Sequence, residues 1–261
     1  MAVERRRRGV SAFESVAGSY AASRPGYPPP LFEAIEELTG SPLRGAQVVD
    51  VGAGTGIATG LLLERGARVV AVEPGAAMSN QLHQSLPEVP LVRAVGEVLP
   101  VKSASADMIT YAQSWHWTDP TQSVPEAARV LRPGGALVLF WNIIDPDVEW
   151  VVDQERRMLA CAPIPPFPGV HPGYLAPGVT VPDVLRRCHP SANPLSRRLH
   201  WTRLTSLDNH VTYLASQSNI AGLPPDIRRR FIDDERDLLL NAFPDGVVEE
   251  AYAVELVVLP I

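Results

Sequence analysis

The stretch Gln47-Val48-Val49-Asp50-Val51-Gly52-Ala53-Gly54-Thr55-Gly56 decides the fold. Its first five residues are a short apolar run closed by glycines, the pattern of a buried strand entering a tight turn. Ile57 to Arg65 then reads as a helix that stops at Gly66. A strand, a glycine-rich turn and a helix form a ligand site for physical reasons. The glycines let a ligand approach the backbone, and the helix start offers unpaired N–H groups.

The same alternation continues outward. Arg68 to Val72 reads as a second strand, ending at Glu73-Pro74, and Ala76 to Leu86 as a helix. Leu91 to Val95 and Asp107 to Tyr111 read as the third and fourth strands. A helix over Thr121 to Leu131 stops at Arg132-Pro133-Gly134-Gly135, before a fifth strand from Ala136 to Trp141. Strands alternating with helices predict an α/β fold with a parallel sheet covered on both faces. Leu199 to Leu204 and Val247 to Leu259 read as two further strands, with helices near 206–216 and 225–243 between them. A sheet of about seven strands is ordinary for a chain this size.

Residues 13–37 look helical, interrupted at Arg24-Pro25-Gly26-Tyr27-Pro28. The chain holds 26 prolines, and those between Pro163 and Pro194 are dense enough to predict an irregular lid over residues 161–194. The expected organisation is a mobile tail over 1–12 and one domain over 13–261, with an N-terminal cap at 13–40 and that lid as an insertion. At 261 residues the chain suits one large domain with an elaboration.

Composition narrows the function. Lys+Arg is 23 against Asp+Glu 29, a formal charge of −6, which argues against nucleic acid as the main partner. No apolar run reaches the roughly 20 residues a membrane span requires. Arg5 to Arg8 is not followed by a signal-peptide segment, so a cytoplasmic protein is expected. The two cysteines, Cys161 and Cys188, and six scattered histidines make no metal-binding array, and no metal is expected. Lys102 is the only lysine, which disfavours Schiff-base chemistry.

The glycine spacing is G-x-G-x-G. The dinucleotide fingerprint G-x-G-x-x-G would need a third glycine where Ile57 stands, and a P-loop would need Gly-Lys-Ser/Thr. Glu73, 23 residues after Asp50 at the end of the second strand, is placed to accept hydrogen bonds from both hydroxyls of a ribose. Asp50-Val51-Gly52-Ala53-Gly54-Thr55-Gly56 resembles the first motif of class I S-adenosylmethionine-dependent methyltransferases, and Glu73 matches the acid of their second strand. Ala94-Val95-Gly96-Glu97-Val98-Leu99-Pro100 resembles their adenine-side segment G-x-A-E-x-L-P, with Ala94 and Gly96 departing from it. Leu131 to Gly135 matches the turn before their fifth strand.

A narrower resemblance adds a branch. Ala112-Gln113-Ser114-Trp115-His116-Trp117 is similar to the A-Q-A-x-H-W segment of small-molecule enzymes that include trans-aconitate-type methyltransferases. Tyr20 with Arg24-Pro25-Gly26-Tyr27-Pro28 is similar to that branch's N-terminal Y-x-x-x-R-P-x-Y-P. The resemblance implies a Rossmann-like doubly wound sheet, mostly parallel with an antiparallel edge. It implies S-adenosylmethionine as cofactor and S-adenosylhomocysteine as product. The implied cofactor contacts are Asp50, Gly52, Ala53, Gly54, Glu73, Pro74, Gly96, Glu97 and Gln113, with Tyr20 and Arg24 at its amino-acid end; an arginine suits a carboxylate.

Methyl transfer is an in-line displacement, so the protein works mainly by alignment. His116, just past the fourth strand at the ligand end of the sheet, is the candidate base, against a reading as a hydrogen-bonding group between Trp115 and Trp117. His200 and His210 fall in outer elements with no assigned role. Trp115, Trp117 and Trp141, with the Pro-rich segment, are expected to wall an apolar acceptor pocket. The expected acceptor is a small apolar or aromatic specialised metabolite. The competing readings are a tRNA or protein methyltransferase, a cyclase or binding module that holds the cofactor without moving its methyl, and a nicotinamide dehydrogenase, which Ile57 disfavours.

Overall fold

The computed structural model describes residues 25–163, 179–191 and 193–261. Its centre is a seven-stranded sheet in the order β3-β2-β1-β4-β5-β7-β6. The strands are β1 (Gln47–Val51), β2 (Arg68–Val72), β3 (Leu91–Val92), β4 (Ala106–Ala112), β5 (Leu131–Ile144), β6 (Leu195–Ser206) and β7 (Val247–Pro260). β1 to β5 pair in parallel, and β7 inserts antiparallel between β5 and β6. The doubly wound sheet with an antiparallel edge is therefore present as expected. β1 and β2 are valine runs because their central positions are covered on both faces.

One face is packed by α1 (Pro29–Thr39) and α2 (Ile57–Glu64) around Phe32, Leu62, Val138 and Phe140. α3 (Ala76–Ser85) closes the β2 end around Ala71 and Leu82. The opposite face carries α4 (Pro120–Val130), packed with Trp115, Tyr111, Leu139 and Trp141. At the carboxyl ends of β5 and β6, further helices form a cap: α5 (Glu149–Cys161), α7 (Leu207–Ser216), the short α8 (Ser218–Ala221) and α9 (Pro225–Ala242). Among the described residues, no helix is long and apolar enough to cross a membrane.

Three expectations change. β3 is two residues long, because Arg93 turns away and donates to the carbonyl of Pro74 at 2.8 Å, and Val95 and Val98 then bridge around Gly96. β5 starts at Leu131, because a register shift between Ala106 and Met108 takes Pro133-Gly134-Gly135 into the strand as an irregularity. The segment read as an irregular lid contains a helix, α6 (Val181–Cys188), which packs Val181, Val184 and Leu185 into the core beside Trp115. A capping box starts it: Thr180 and Asp183 bond reciprocally, and proline stands in the first turn, where its missing N–H removes nothing. The tail 1–12, the first part of the expected cap at 13–24 and residues 164–178 of the lid lie outside the described residues.

Candidate active site

The glycine turn sits at the carboxyl ends of β1 and β4. Gly52 has φ +69°, and a Cβ there would lie 2.4 Å from the Cβ of Ser114, so only glycine fits. Ser114 in turn donates its hydroxyl to the carbonyl of Val51 at 2.5 Å, locking the start of the turn to the end of β4. Gly52 N–H and Ala53 N–H both donate to the carbonyl of Val72, which ties the turn to β2.

Asp50 lies beneath this turn with no exposed surface. Its two oxygens accept from Thr59 at 2.6 Å and Thr110 at 2.8 Å, joining α2 to β4. Burial raises its pKa against those two hydrogen bonds. The structure thus gives Asp50 a place under the loop, holding it in shape, and no surface for a ligand to touch.

Glu73 is also buried, at 8% exposure, but at the rim. Oε2 accepts from the N–H of Gly54 at 2.9 Å and Oε1 from that of Gly75 at 2.7 Å. Burial raises its pKa, opposed by these two N–H groups. An ionised carboxylate has about four acceptor positions, so two remain for hydroxyl donors. A Cβ built on Gly54 meets nothing within 4 Å, so the backbone beside the carboxylate is open to a ligand. Open backbone, donors of a helix start and a carboxylate with spare acceptors fit the ribose and amino-acid portions of S-adenosylmethionine. Ala53 is buried below, against Leu82, and Pro74 follows Glu73 at the same rim.

Just past β4, Gln113 adopts φ +58°, a left-handed conformation uncommon for a non-glycine residue. Its N–H donates to the carbonyl of Phe140 and its Nε2 to the carbonyl of Asn142, both at 2.9 Å. Asn142 donates to the carbonyl of Gly26 at 2.9 Å and accepts from Trp201 Nε1 at 3.1 Å. Tyr27 packs edge-on against Phe140. The Pro25–Pro28 part of the N-terminal motif is therefore docked at the mouth of the site, beside Gln113. Tyr20 and Arg24 lie outside the described residues.

A family model described as a methyltransferase domain matches residues 49–139. Uncharacterized methyltransferases of Mycobacterium bovis and Mycobacterium tuberculosis are 35% identical over 234 residues, which is 89% of this chain and 88% of theirs. A trans-aconitate 2-methyltransferase of an Azoarcus strain is 31% identical over 211 residues, 71% of this chain and 83% of its own. A solved structure described as a type II methyltransferase of Anaeromyxobacter dehalogenans matches with a TM-score of 0.68 at 26% identity, covering 91% of this chain and 97% of that one. The chain belongs to the class I S-adenosylmethionine-dependent methyltransferases.

In this methyltransferase the segment 94–100 departs from the pattern it resembles for a visible reason. A Cβ on Gly96 would lie 2.7 Å from the Tyr111 hydroxyl and 3.0 Å from Thr118 Cγ2. The Tyr111 hydroxyl donates to the Gly96 carbonyl at 3.2 Å. Glycine stands here because Tyr111 occupies the space. Gly96→Ala is expected to destabilise the fold by about 1–3 kcal/mol, the scale of overpacking, with part recovered when Tyr111→Phe removes the hydroxyl; urea unfolding of the single and double variants checks it. Glu97 accepts from the N–H of Asp119 at 2.8 Å, fixing the entry to α4.

His116 is buried, and its Nδ1 accepts from Trp141 Nε1 at 3.2 Å. A neutral ring so held carries its proton on Nε2, so it has no lone pair for a base while the Trp141 bond stands. Of the tryptophans expected to wall a pocket, Trp115 and Trp141 are fully buried core instead, because α6 covers them. Trp117 is half-buried, tilted against His116 at 5.1 Å.

Sequence reasoning passed over Ser114, Asn142 and Trp201 as site-shaping groups. It also passed over the cap. Ile144, Trp150, Glu155, Met158, Tyr213 and Leu214 line a narrow cleft between α5, α7 and the end of β5. Along the same cleft, His210 meets Glu250 at 2.6 Å and Gln154 at 3.1 Å, and Arg203 and Tyr252 also reach Glu250; nearby, Arg157 meets Glu235 at 2.5 Å. These partners come from α5, α7, α9, β6 and β7, and long-range pairing of that kind leaves no local sequence signal.

Proposed function

We propose that this methyltransferase moves the methyl group of S-adenosylmethionine to a small molecule with an apolar or aromatic body. The observation that carries the reading is the narrow cleft of the helical cap at the carboxyl end of β5, where Trp150, Met158, Tyr213 and Leu214 stand beside the polar Gln154, His210 and Gln217. Ile144, at its floor, stands two residues past Asn142, about 7 Å along the strand from the carbonyl that Gln113 contacts. The net charge of −6 supports a small acceptor over a nucleic acid.

On this reading Glu73 accepts the ribose hydroxyls, the Gly52–Gly54 backbone lies along the cofactor, and Pro74 borders it. Gly96 and Glu97 flank the adenine, and Gln113 faces the methionine portion. The resemblance assigns Tyr20 and Arg24 to the cofactor's amino-acid end. Asp50 acts at one remove, by holding the turn between Thr59 and Thr110. Bound S-adenosylmethionine supplies a sulfonium methyl whose leaving group is a neutral thioether. The chain's task is to align the acceptor with that methyl and keep water out. His116, donating from Nε2, orients groups at the mouth of the site and is not required to take a proton.

The test is incubation with methyl-labelled S-adenosylmethionine and a cytosolic extract of a related bacterium, followed by size fractionation. Label in the small-molecule fraction is the expected result. Label confined to RNA or protein would replace this reading with a macromolecular acceptor, and cofactor binding without any transfer would replace it with a binding module.

A further inference from the structure

The acceptor cleft holds one charged group that the rest of the molecule does not use. Glu155, on α5, is half-buried in the cleft wall, and among the described residues no hydrogen bond or ion pair reaches its carboxylate. Burial raises its pKa with no opposing contribution from any cation or donor. Its neighbours are in a different condition. Glu235 is held by Arg157 and Gln154. Glu250, which also borders the cleft, is held by His210, Arg203 and Tyr252. Asp153, two residues away on α5, is paired with Arg156. Arg156, Arg157 and Arg203 are thus each taken up by another carboxylate, and Glu155 alone of the cleft's two carboxylates lacks a partner among the described residues.

A half-buried carboxylate without a counter-charge bears part of the desolvation cost of a buried one, so a cation that meets it in the working enzyme accounts for its place. The walls around it match one chemistry. Trp150 is fixed edge-on by Phe243 at 5.2 Å and by His210 at 5.9 Å, and Tyr213 adds a second aromatic ring and Met158 a thioether to the same wall. Aromatic faces attract cations as well as apolar bodies, and a carboxylate among them selects a cation.

We infer that the acceptor carries an ammonium group, which Glu155 pairs, on an apolar or aromatic body held between Trp150 and Tyr213. This inference rests on the small-molecule reading above and narrows it. The ammonium is the anchor that places the molecule. Glu155 is a specificity-determining residue, remote from the glycine turn and Glu73.

The test titrates 2-phenylethylamine, and its neutral counterpart 2-phenylethanol, into the intact chain saturated with S-adenosylhomocysteine. The amine is expected to bind at least tenfold more tightly than the alcohol. Glu155→Gln, which keeps the side chain's shape, is expected to remove that preference, and Glu155→Ala to do the same. Without ligand, Glu155→Gln is expected to raise the melting temperature, because it removes the unmatched charge; a purely structural carboxylate would lower it when replaced. Equal binding of amine and alcohol, no amine binding, or an unchanged preference in both variants overturns the inference. If S-adenosylhomocysteine binds in the same experiment, the methyl-transfer reading survives that failure; if it does not bind, that reading falls and this one with it.

Discussion

Glu73→Ala is expected to lower kcat/KM for S-adenosylmethionine by a factor of about 10² to 10⁴. The carboxylate has two acceptor positions left after bonding the N–H groups of Gly54 and Gly75. Each hydrogen bond to a charged acceptor contributes about 1.5–3 kcal/mol, and two ribose hydroxyls make two such bonds. The sum, about 3–6 kcal/mol, converts at 1.4 kcal/mol per tenfold into that range. The variant also leaves two backbone donors of the turn without their acceptor, which moves the result toward the larger loss. Its fold should persist, because Asp50, Ser114 and the carbonyl of Val72 still hold the turn. Steady-state kinetics on a variant with an unchanged circular dichroism spectrum checks the value, and a loss below threefold would remove Glu73 from the cofactor site.

A comparable effect on stability is expected at the cap. Glu250 is 1% exposed and receives His210, Arg203 and Tyr252. The two nitrogens of His210 meet Glu250 at 2.6 Å and Gln154 at 3.1 Å, which joins α7 to β7 and α5. Glu250→Gln leaves the Arg203 guanidinium without its carboxylate, and breaking a buried pair from one side costs about 3–5 kcal/mol. The pH dependence has a definite sign. Burial alone would raise the pKa of Glu250, but the hydrogen bonds and charges of His210 and Arg203 outweigh it and leave it lowered. A carboxylate lowered in the folded state contributes stability that is present above its unfolded pKa and is lost as pH falls through the folded one. The native protein should therefore lose stability on acidification below the ordinary carboxylate range, and Glu250→Gln should lack that part of the slope. Urea unfolding of both proteins across acidic pH measures it.

The sheet was legible where burial on both faces forces apolar runs, as in Val48 to Val51 and Val69 to Val72. The glycine turn was legible because its chemistry is local: Gly52, Glu73 and the spacing between them lie within one βαβ unit. Legibility failed where distant contacts decide. Arg93 ends β3 by reaching back to Pro74, and no neighbour of Arg93 announces it. Proline density hid α6, although Thr180-Val181-Pro182-Asp183 carries a helix-start signal in plain view. That helix turned Trp115 and Trp141 from pocket wall into core. His116 owes its proton arrangement to Trp141, 25 residues on. The cap escaped altogether, since Gln154, His210, Glu235 and Glu250 meet across four elements and each alone looks like a surface residue.

The most direct test of the account is calorimetric titration of the intact chain with S-adenosylhomocysteine, and with NAD in parallel. The account predicts micromolar binding of S-adenosylhomocysteine, weakened in Glu73→Ala, and none of NAD. Binding of NAD without S-adenosylhomocysteine would contradict it, because the turn at Gly52–Gly56 would then be a dinucleotide site.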